Sequence, residues 1–386
     1  MKNCGKSKLK YVCEISAGQS APQGNDKYSE NGIPFIRAGN LDALTLRGNE
    51  GLCQKVSQAV AKEHKLKLYP KGTILFAKSG MSTKKGYVHV LKENAYVVSH
   101  LACIIPTDKI EPDFLKYYFL YNKPNRLVRD DSYPSISLLD ISNITIPLPT
   151  LTDQILIINI FKKIEKQIFN KKLQLEKLEQ LAKSRFIEMF GDLKYHTKYS
   201  SIKLKEICKT LSGGTPTTKH PEYYTGNIPW ITTVQLGENY ISGENPKAFI
   251  TEEAIKNSAT HLIPANNILF GTRVGVGKSS INTAPICTNQ DINAIMNIDE
   301  TKWDLLFIKL VLDHYQDYFD SIKKGVTIKG ITIEELTNID IPMVPICLQK
   351  EYSMFIQQLD KSKFRIKKSL EKLELTYKAL LQEYFG

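Results

Sequence analysis

Apolar residues recur in alternating steps of four and three along two stretches of the chain. The first stretch carries Ile157, Phe161, Ile164, Ile168, Leu175, Leu178, Ala182 and Met189, with Lys171 and Arg185 at two further positions of the series. The second carries Tyr352, Ile356, Leu359, Ile366, Leu370, Leu373, Tyr377, Leu380 and Tyr384, with Lys363 in step. Held over about five heptads, this spacing is a coiled-coil seam rather than the broader stripe of a surface helix. Two such helices in one chain pack most simply on each other, and the connection between them sets their direction. A helix of about 40 residues is roughly 60 Å long. The roughly 150 residues in between form a domain with a radius of gyration of only about 15 Å. An antiparallel pair lets that domain begin and end at one place, so antiparallel helices are expected, with the N-terminus near Gly386.

The helices belong to a longer repeat. At an offset of 195 residues, Lys8-Leu9-Lys10 and Cys13 return as Lys203-Leu204-Lys205 and Cys208, and Ile33-Pro34-Phe35-Ile36 returns as Ile228-Pro229-Trp230-Ile231. Leu175-Glu176-Lys177-Leu178 and Phe190-Gly191 return at the same offset as Leu370-Glu371-Lys372-Leu373 and Phe385-Gly386. The chain is therefore a tandem duplication. Short β-branched and aromatic runs over residues 73–76, 95–105, 268–270 and 292–298 predict strands, and residues 113–121 and 303–319 predict helices. Thr150 or Thr152 suits the start of the first long helix, and Gly191 its end.

The expected fold is α+β: two tandem α/β domains joined by two long antiparallel coiled-coil helices, with pseudo-two-fold symmetry. The first domain covers residues 1–150, the central spacer helix 151–192, the second domain 193–345 and the C-terminal spacer helix 346–386. The frameworks match, but residues 46–71 share little with the corresponding 241–264. A repeated scaffold with two unlike surfaces suits two binding specificities. Such an object matches the local dyad of a DNA duplex, with the helices setting the gap between half-sites.

Charge agrees with a polyanionic partner without identifying one, since 52 Lys and Arg against 40 Asp and Glu leave a net +12. The seven cysteines, Cys4, Cys13, Cys53, Cys103, Cys208, Cys287 and Cys347, form no metal-ligand pairing or disulfide framework. Reduced, mostly packed thiols in a cytoplasmic protein are expected. The longest apolar run is too short to span a bilayer, and no apolar core follows the N-terminal residues.

Ser212-Gly213-Gly214-Thr215-Pro216, followed by Tyr223-Tyr224, Gly226, Ile228-Pro229-Trp230-Ile231 and Leu236, resembles the start of the target recognition domains in specificity subunits of type I restriction-modification systems. Gly18, Tyr28, Gly32 to Ile36 and Leu41 form a weaker version. The domain exits, Ile144 to Gln154 and Ile339 to Gln349, resemble that family's entry into its spacer helices, except that Pro149 is matched by Val344 and Pro345 stands one place later. The resemblance implies a DNA-specificity subunit that reads a bipartite double-stranded target, one half-site per target recognition domain. It also implies two methyltransferase partners supplying S-adenosylmethionine chemistry on adenine, and restriction/translocase subunits using ATP and Mg. This chain itself would be non-catalytic and hold no cofactor.

The residues agree on the missing chemistry. Asn245-Pro246-Lys247 lacks the second proline and aromatic of a methyl-transfer loop, and Thr272 replaces the first glycine of a phosphate-binding loop over 272–279. The seven histidines, His64, His89, His100, His196, His220, His261 and His314, show no metal-ligand spacing. No catalytic residue or metal site is expected.

Three places in each half combine hydrogen-bond donors with a permissive backbone. The first is Arg37 and Asn40, against Thr232, Thr233 and Gln235, where Arg suits guanine and Asn or Gln suits adenine. The second is Lys78, Ser79, Lys84 and Lys85, against Arg273 and Lys278, in a basic hairpin suited to phosphates. The third is Arg129, Ser132 and Tyr133, against Lys323, Lys324 and Lys329. At each place the alternative is an ordinary solvated edge or turn. Lys171, Lys363 and Arg185 are read as register-fixing breaks in the seam, the alternative being contact points for another subunit or for phosphates. The rival functions are a specificity subunit of another multisubunit DNA methyltransferase, a self-contained modification enzyme, and a coiled-coil interaction protein that binds no nucleic acid.

Overall fold

The computed structural model describes residues 5–193, 196–325 and 329–386, the side chains at 46, 47, 196 and 197 aside. Cys4, the His196 side chain and the expected closeness of the N-terminus to Gly386 lie outside the described residues. Two uninterrupted helices, Leu151–Phe190 and Ile346–Phe385, occupy the two coiled-coil stretches. Thr150 caps the first, its Oγ1 accepting from the Asp153 N–H at 3.2 Å, and Gly191 ends it at φ +88°. Before the second helix stands Pro345, whose carbonyl accepts from the Gln349 N–H at 3.2 Å.

The chain forms two compact units, residues 1–173 with 367–386, and residues 174–366. Each contains an α/β part and a portion of both long helices. In the first unit, Phe161 packs on Tyr377 and Tyr384 with ring centroids 5.4 and 6.0 Å apart, and Lys172 meets Glu374 at 3.2 Å. In the second, the Tyr352 hydroxyl donates to the Ala182 carbonyl at 3.0 Å, and Arg185 meets Glu351 at 3.2 Å. Partners rise along one helix as they fall along the other, so within each unit the helices are antiparallel. Arg185 bridges the two helices of that unit.

Every seam position is buried or half-buried. Burial extends past the seam at Phe186, Phe190, Leu381 and Phe385. These side chains leave the helix pair for the α/β cores: Phe186 and Phe190 pack on Phe307, and Phe385 packs on Phe114. Sequence spacing shows the seam but not this second face, because a heptad count does not reveal that a domain also rests on the helix.

In the first unit, a four-stranded antiparallel sheet runs Cys13–Ala17, Leu101–Pro106, Ile74–Ala77, Val88–Val90 in spatial order. A second sheet orders Lys55–Val56, Ile33–Ile36 and Tyr96–Val97, the last pair parallel. The second unit repeats both orders, with Lys209–Ser212, Ile292–Met296, Ile268–Gly271 and Ser279–Asn282 in one sheet. Ala248–Ile250, Ile228–Ile231 and Ile286–Thr288 form the other. Each of its sheets gains an edge strand, Tyr240–Ile241 and Leu262–Ile263. Both additions come from the region where the halves diverge in sequence; the first unit has the short helix Leu41–Arg47 there, and each unit has one further short helix, Gln58–Glu63 or Glu252–Lys256. The helix expected over 303–319 is two helices, Leu305–His314 and Gln316–Ile322, broken at Tyr315.

One buried glutamine per unit ties the domain to its long helix. Gln154 Oε1 accepts from the Glu111 N–H at 2.8 Å, and its Nε2 donates to the carbonyls of Lys109 and Pro149. Gln349 does the same with the Asp304 N–H at 2.9 Å and the carbonyls of Lys302 and Val344. Both side chains thereby satisfy backbone groups at the start of the domain helix, Pro112–Tyr121 or Leu305–His314, that would otherwise be buried unpaired. No helix among the described residues is long and apolar enough to cross a membrane.

Candidate nucleic-acid interface

In the first unit, the strand Ile33–Ile36 ends at Arg37, whose N–H donates to Asn40 Oδ1 at 2.8 Å. The exposed Arg37 guanidinium lies over the Tyr28 ring, 4.9 Å from its centroid. The second place is the turn Met81–Lys85 between strands Ile74–Ala77 and Val88–Val90. The third is stitched to it. Gly80 N–H donates to the Pro134 carbonyl at 3.0 Å, Ile136 N–H donates to the Lys78 carbonyl at 2.7 Å, and Lys84 meets Asp131 at 3.3 Å. Ser79 Oγ pairs with His100 Nδ1 at 2.8 Å. Lys85 lies 4.0 Å from Asp42, in the helix that follows Asn40, so the first place adjoins the other two.

The second unit makes the same convergence with different side chains. Thr232 donates through both its N–H and its Oγ1 to Gln235 Oε1, each at 3.0 Å. The hairpin joining Ile268–Gly271 to Ser279–Asn282 carries Arg273 and Lys278. The Ile331 N–H donates to the Thr272 carbonyl at 2.8 Å, and Lys324 and Gly330 exchange backbone bonds at 2.9 Å, bringing in the third place. Arg273, Lys278, Lys323 and Lys329 then line one cavity of about 620 Å³ with Val274, Gly275, Val276 and Gln316. Thr233 is buried against Gly271 and Gly275, so it shapes the hairpin from inside instead of facing solvent.

Asn40 and Gln235 stand 195 residues apart and do the same local work. Each carbonyl oxygen holds its own turn, which leaves the NH2 as the uncommitted end. A two-bond contact to adenine needs an acceptor as well as a donor; Gln235 Oε1 already accepts two bonds, whereas Asn40 Oδ1 accepts one and keeps a second lone pair.

Most of the cations sit beside acids. Arg129 meets Asp140 at 2.7 Å, Arg273 meets Asp291 at 3.6 Å, Lys324 meets Glu335 at 2.9 Å, and Lys323 pairs with Asp320. In each pair one side chain is exposed and the other is partly shielded, so the pairs are screened only in part. Lys78, Lys278 and Lys329 have no acidic partner among the described residues.

Gln316 was not legible in the sequence. Its Nε2 donates to the Val276 carbonyl at 3.1 Å, and its Oε1 lies 1.8 Å from where a Cβ on Gly277 would stand. With φ +90°, Gly277 is doubly restricted to glycine, and the hairpin closes around the amide. The Gly214 of the recognised motif is held differently. The Trp230 indole donates to its carbonyl at 3.0 Å, and a Cβ there would lie 2.3 Å from the Ala259 backbone.

Acids on the long helices were also missed. In the first unit, Glu165 accepts from the Tyr117 and Tyr377 hydroxyls at 3.1 and 2.9 Å. Burial, reinforced by that carboxylate, pushes both phenols far above their ordinary pKa. In the second, Asp360, at the equivalent position, accepts from Asn239 at 2.6 Å, and Asn239 in turn accepts from buried Lys309 at 2.7 Å. The only sequence signal is a pair of carboxylates 195 residues apart in lysine-rich helices.

Among the described residues, no three His, Cys, Asp or Glu side chains gather as metal ligands. Burial raises the thiols of Cys13 and Cys103 to about 12 and those of Cys53, Cys208 and Cys287 to about 11. These thiols are protonated at neutral pH; Cys208 is half-buried and the others are buried, whereas Cys347 is exposed.

A family described as the Type I restriction modification DNA specificity domain matches residues 1–180 and again 197–376. The MjaIX type I restriction enzyme specificity subunit of Methanocaldococcus jannaschii is 30% identical over 187 residues, 47% of this chain and 43% of that one. An Escherichia coli type I restriction enzyme specificity subunit is 30% identical over 164 residues, 41% of this chain and 39% of that one. Each alignment thus spans less than half of the relative. The S subunit of a type I restriction-modification system from M. genitalium superposes with a TM-score of 0.59 at 16% identity, covering 100% of this chain and 96% of that one, which establishes a shared fold. With the family matched once in each half and both halves built on one plan, this chain belongs to the type I restriction-modification DNA specificity family.

Proposed function

We propose that this chain is the DNA-reading subunit of a type I restriction-modification complex, and that each unit reads one half of a bipartite target. The supporting observation is the convergence, in both units, of three separated basic and polar segments into one loop cluster on a repeated scaffold with unlike side chains. Lys78, Lys278 and Lys329 lack acidic partners among the described residues and suit phosphates, which position a protein on DNA. Arg37 and the amides of Asn40 and Gln235 suit base edges, which specify sequence. The unlike chemistry of the clusters then yields unlike half-sites.

Chemistry is left to other chains. Two methyltransferase subunits dock on the long helices and bring S-adenosylmethionine, and restriction/translocase subunits bring ATP and magnesium, all within the cytoplasm. Purified alone, the chain is expected not to transfer a labelled methyl group to DNA; robust methylation would refute this assignment. Modification mapping in cells carrying the chain with its methyltransferase reads out both half-sites. Exchanging residues 193 to 338 for those of another family member is expected to change one half-site only. Alteration of both would overturn the pairing of one reader with one unit.

A further inference from the structure

In the first unit, two apolar side chains emerge on either side of one backbone hydrogen bond. Gly80 N–H to the Pro134 carbonyl is that bond, at 3.0 Å; Met81 follows Gly80 and Tyr133 precedes Pro134. The base is firmly held. Ile136 N–H donates to the Lys78 carbonyl at 2.7 Å, Ser132 N–H donates to Asp130 Oδ1 at 2.8 Å, and Lys84 meets Asp131 at 3.3 Å. From this base Tyr133 is 85% exposed and Met81 67% exposed. Keeping an aromatic ring in water on a well-bonded backbone forgoes the gain from burying it, and that loss is recovered only when a partner covers the ring.

The surroundings favour a nucleic-acid partner. Lys78, Lys84 and Arg129 lie in the segments stitched together here, the last two beside Asp131 and Asp140 at 3.3 and 2.7 Å, and a polyanion with flat faces satisfies both the cations and the ring. We infer that Tyr133 is a wedge, with Met81 as its apolar neighbour, which inserts against the bases of the half-site read by the first unit and partly unstacks one base step. The inference rests on the proposed DNA reading and adds that this half-site is locally opened on binding.

The test uses the chain assembled with its methyltransferase subunits and duplexes of the mapped target, with 2-aminopurine placed in turn at each purine of both half-sites. Apart from the target adenines, which the methyltransferase subunits flip out in either half-site, the expected result is a several-fold rise in fluorescence at one further position in the half-site of the first unit. Tyr133→Ala should abolish that rise and weaken binding about tenfold, while Tyr133→Phe should keep both. The side chain is exposed, so folding is not at stake. If the native complex binds its target with no rise outside the target adenines, or if Tyr133→Ala leaves that further rise unchanged, the wedge is refuted. A Tyr133→Ala variant that assembles poorly with methyltransferase subunits, yet binds DNA normally once assembled, would make the ring a protein contact and overturn the inference. Failure of the native complex to bind any bipartite target would instead remove the DNA reading itself.

Discussion

His89 and Glu50 show how a residue outside any recognition surface sets the conditions under which the first unit is stable. Both side chains are buried, and His89 Nε2 donates to Glu50 Oε1 at 2.8 Å. Burial disfavours the imidazolium and holds His89 below its ordinary 6.5, although the neighbouring carboxylate opposes this. For Glu50, burial alone would raise the pKa, but the Lys92 N–H and the His89 bond outweigh it and the net direction is down. Between the lowered value of His89 in the folded chain and the ordinary 6.5, the unfolded chain binds more protons, so stability rises with pH there and is complete above 6.5. The Glu50 contribution is present above its ordinary 4.5 and is lost only as pH falls through its lowered folded value. His314, stacked on Phe186 at 3.7 Å, is lowered by burial in the same way in the second unit. Thermal midpoints are therefore expected to fall on acidification from about pH 7 to about pH 5.5. His89→Gln should flatten part of that fall; an unchanged pH profile would rule His89 out as a proton-linked group.

At the scale of elements, the long helices carry a buried face wider than their seam. Phe161 is fully buried between Tyr117 and Tyr377, with centroids 4.5 and 5.4 Å away, so it belongs to both the helix pair and the domain. Phe169 lies on the same helix and is 65% exposed. Phe161→Ala is expected to cost about 3–5 kcal/mol, as large-to-small core changes do, whereas Phe169→Ala should change stability by no more than about 0.5 kcal/mol. Denaturant midpoints of the two variants measure this, and equal effects would show that Phe161 is not the joint described. Heptad spacing made Phe161 legible in the sequence. Phe186, Phe190, Leu381 and Phe385 were not legible, because their burial depends on a domain whose position no local pattern records. Gln154 and Gln349 were visible as motif residues, but their work, closing the start of a distant helix, depends on which backbone groups folding brings near.

For the whole molecule, a net charge of +12 sets a general attraction for polyanions, and the arrangement of individual cations decides how it is used. Lys278 and Lys329 share a cavity and have no acidic partner among the described residues. Replacing either with Gln in the assembled complex should weaken binding to all sequences alike. It should also reduce the slope of log K against log salt by about 0.9 for each phosphate left without its counter-charge. Titrations at several salt concentrations measure this, and an unchanged slope would place that lysine away from the DNA backbone. The Lys324→Gln change, made beside Glu335 at 2.9 Å, removes a charge already matched by an acid and should change the slope less.

The repeat, the paired helices and their direction within each unit were determined by sequence alone, and so was the place of each polar segment along the chain. Each rests on spacing along the chain, and a duplicated pattern states its own period. Tertiary structure decided which of those segments meet, that Thr233 turns inward, that Asn40 and Gln235 hold their own turns, and that Gln316 closes the hairpin. These outcomes depend on hydrogen bonds and packing that folding alone brings together, some between residues tens of positions apart, and no period in the chain records them.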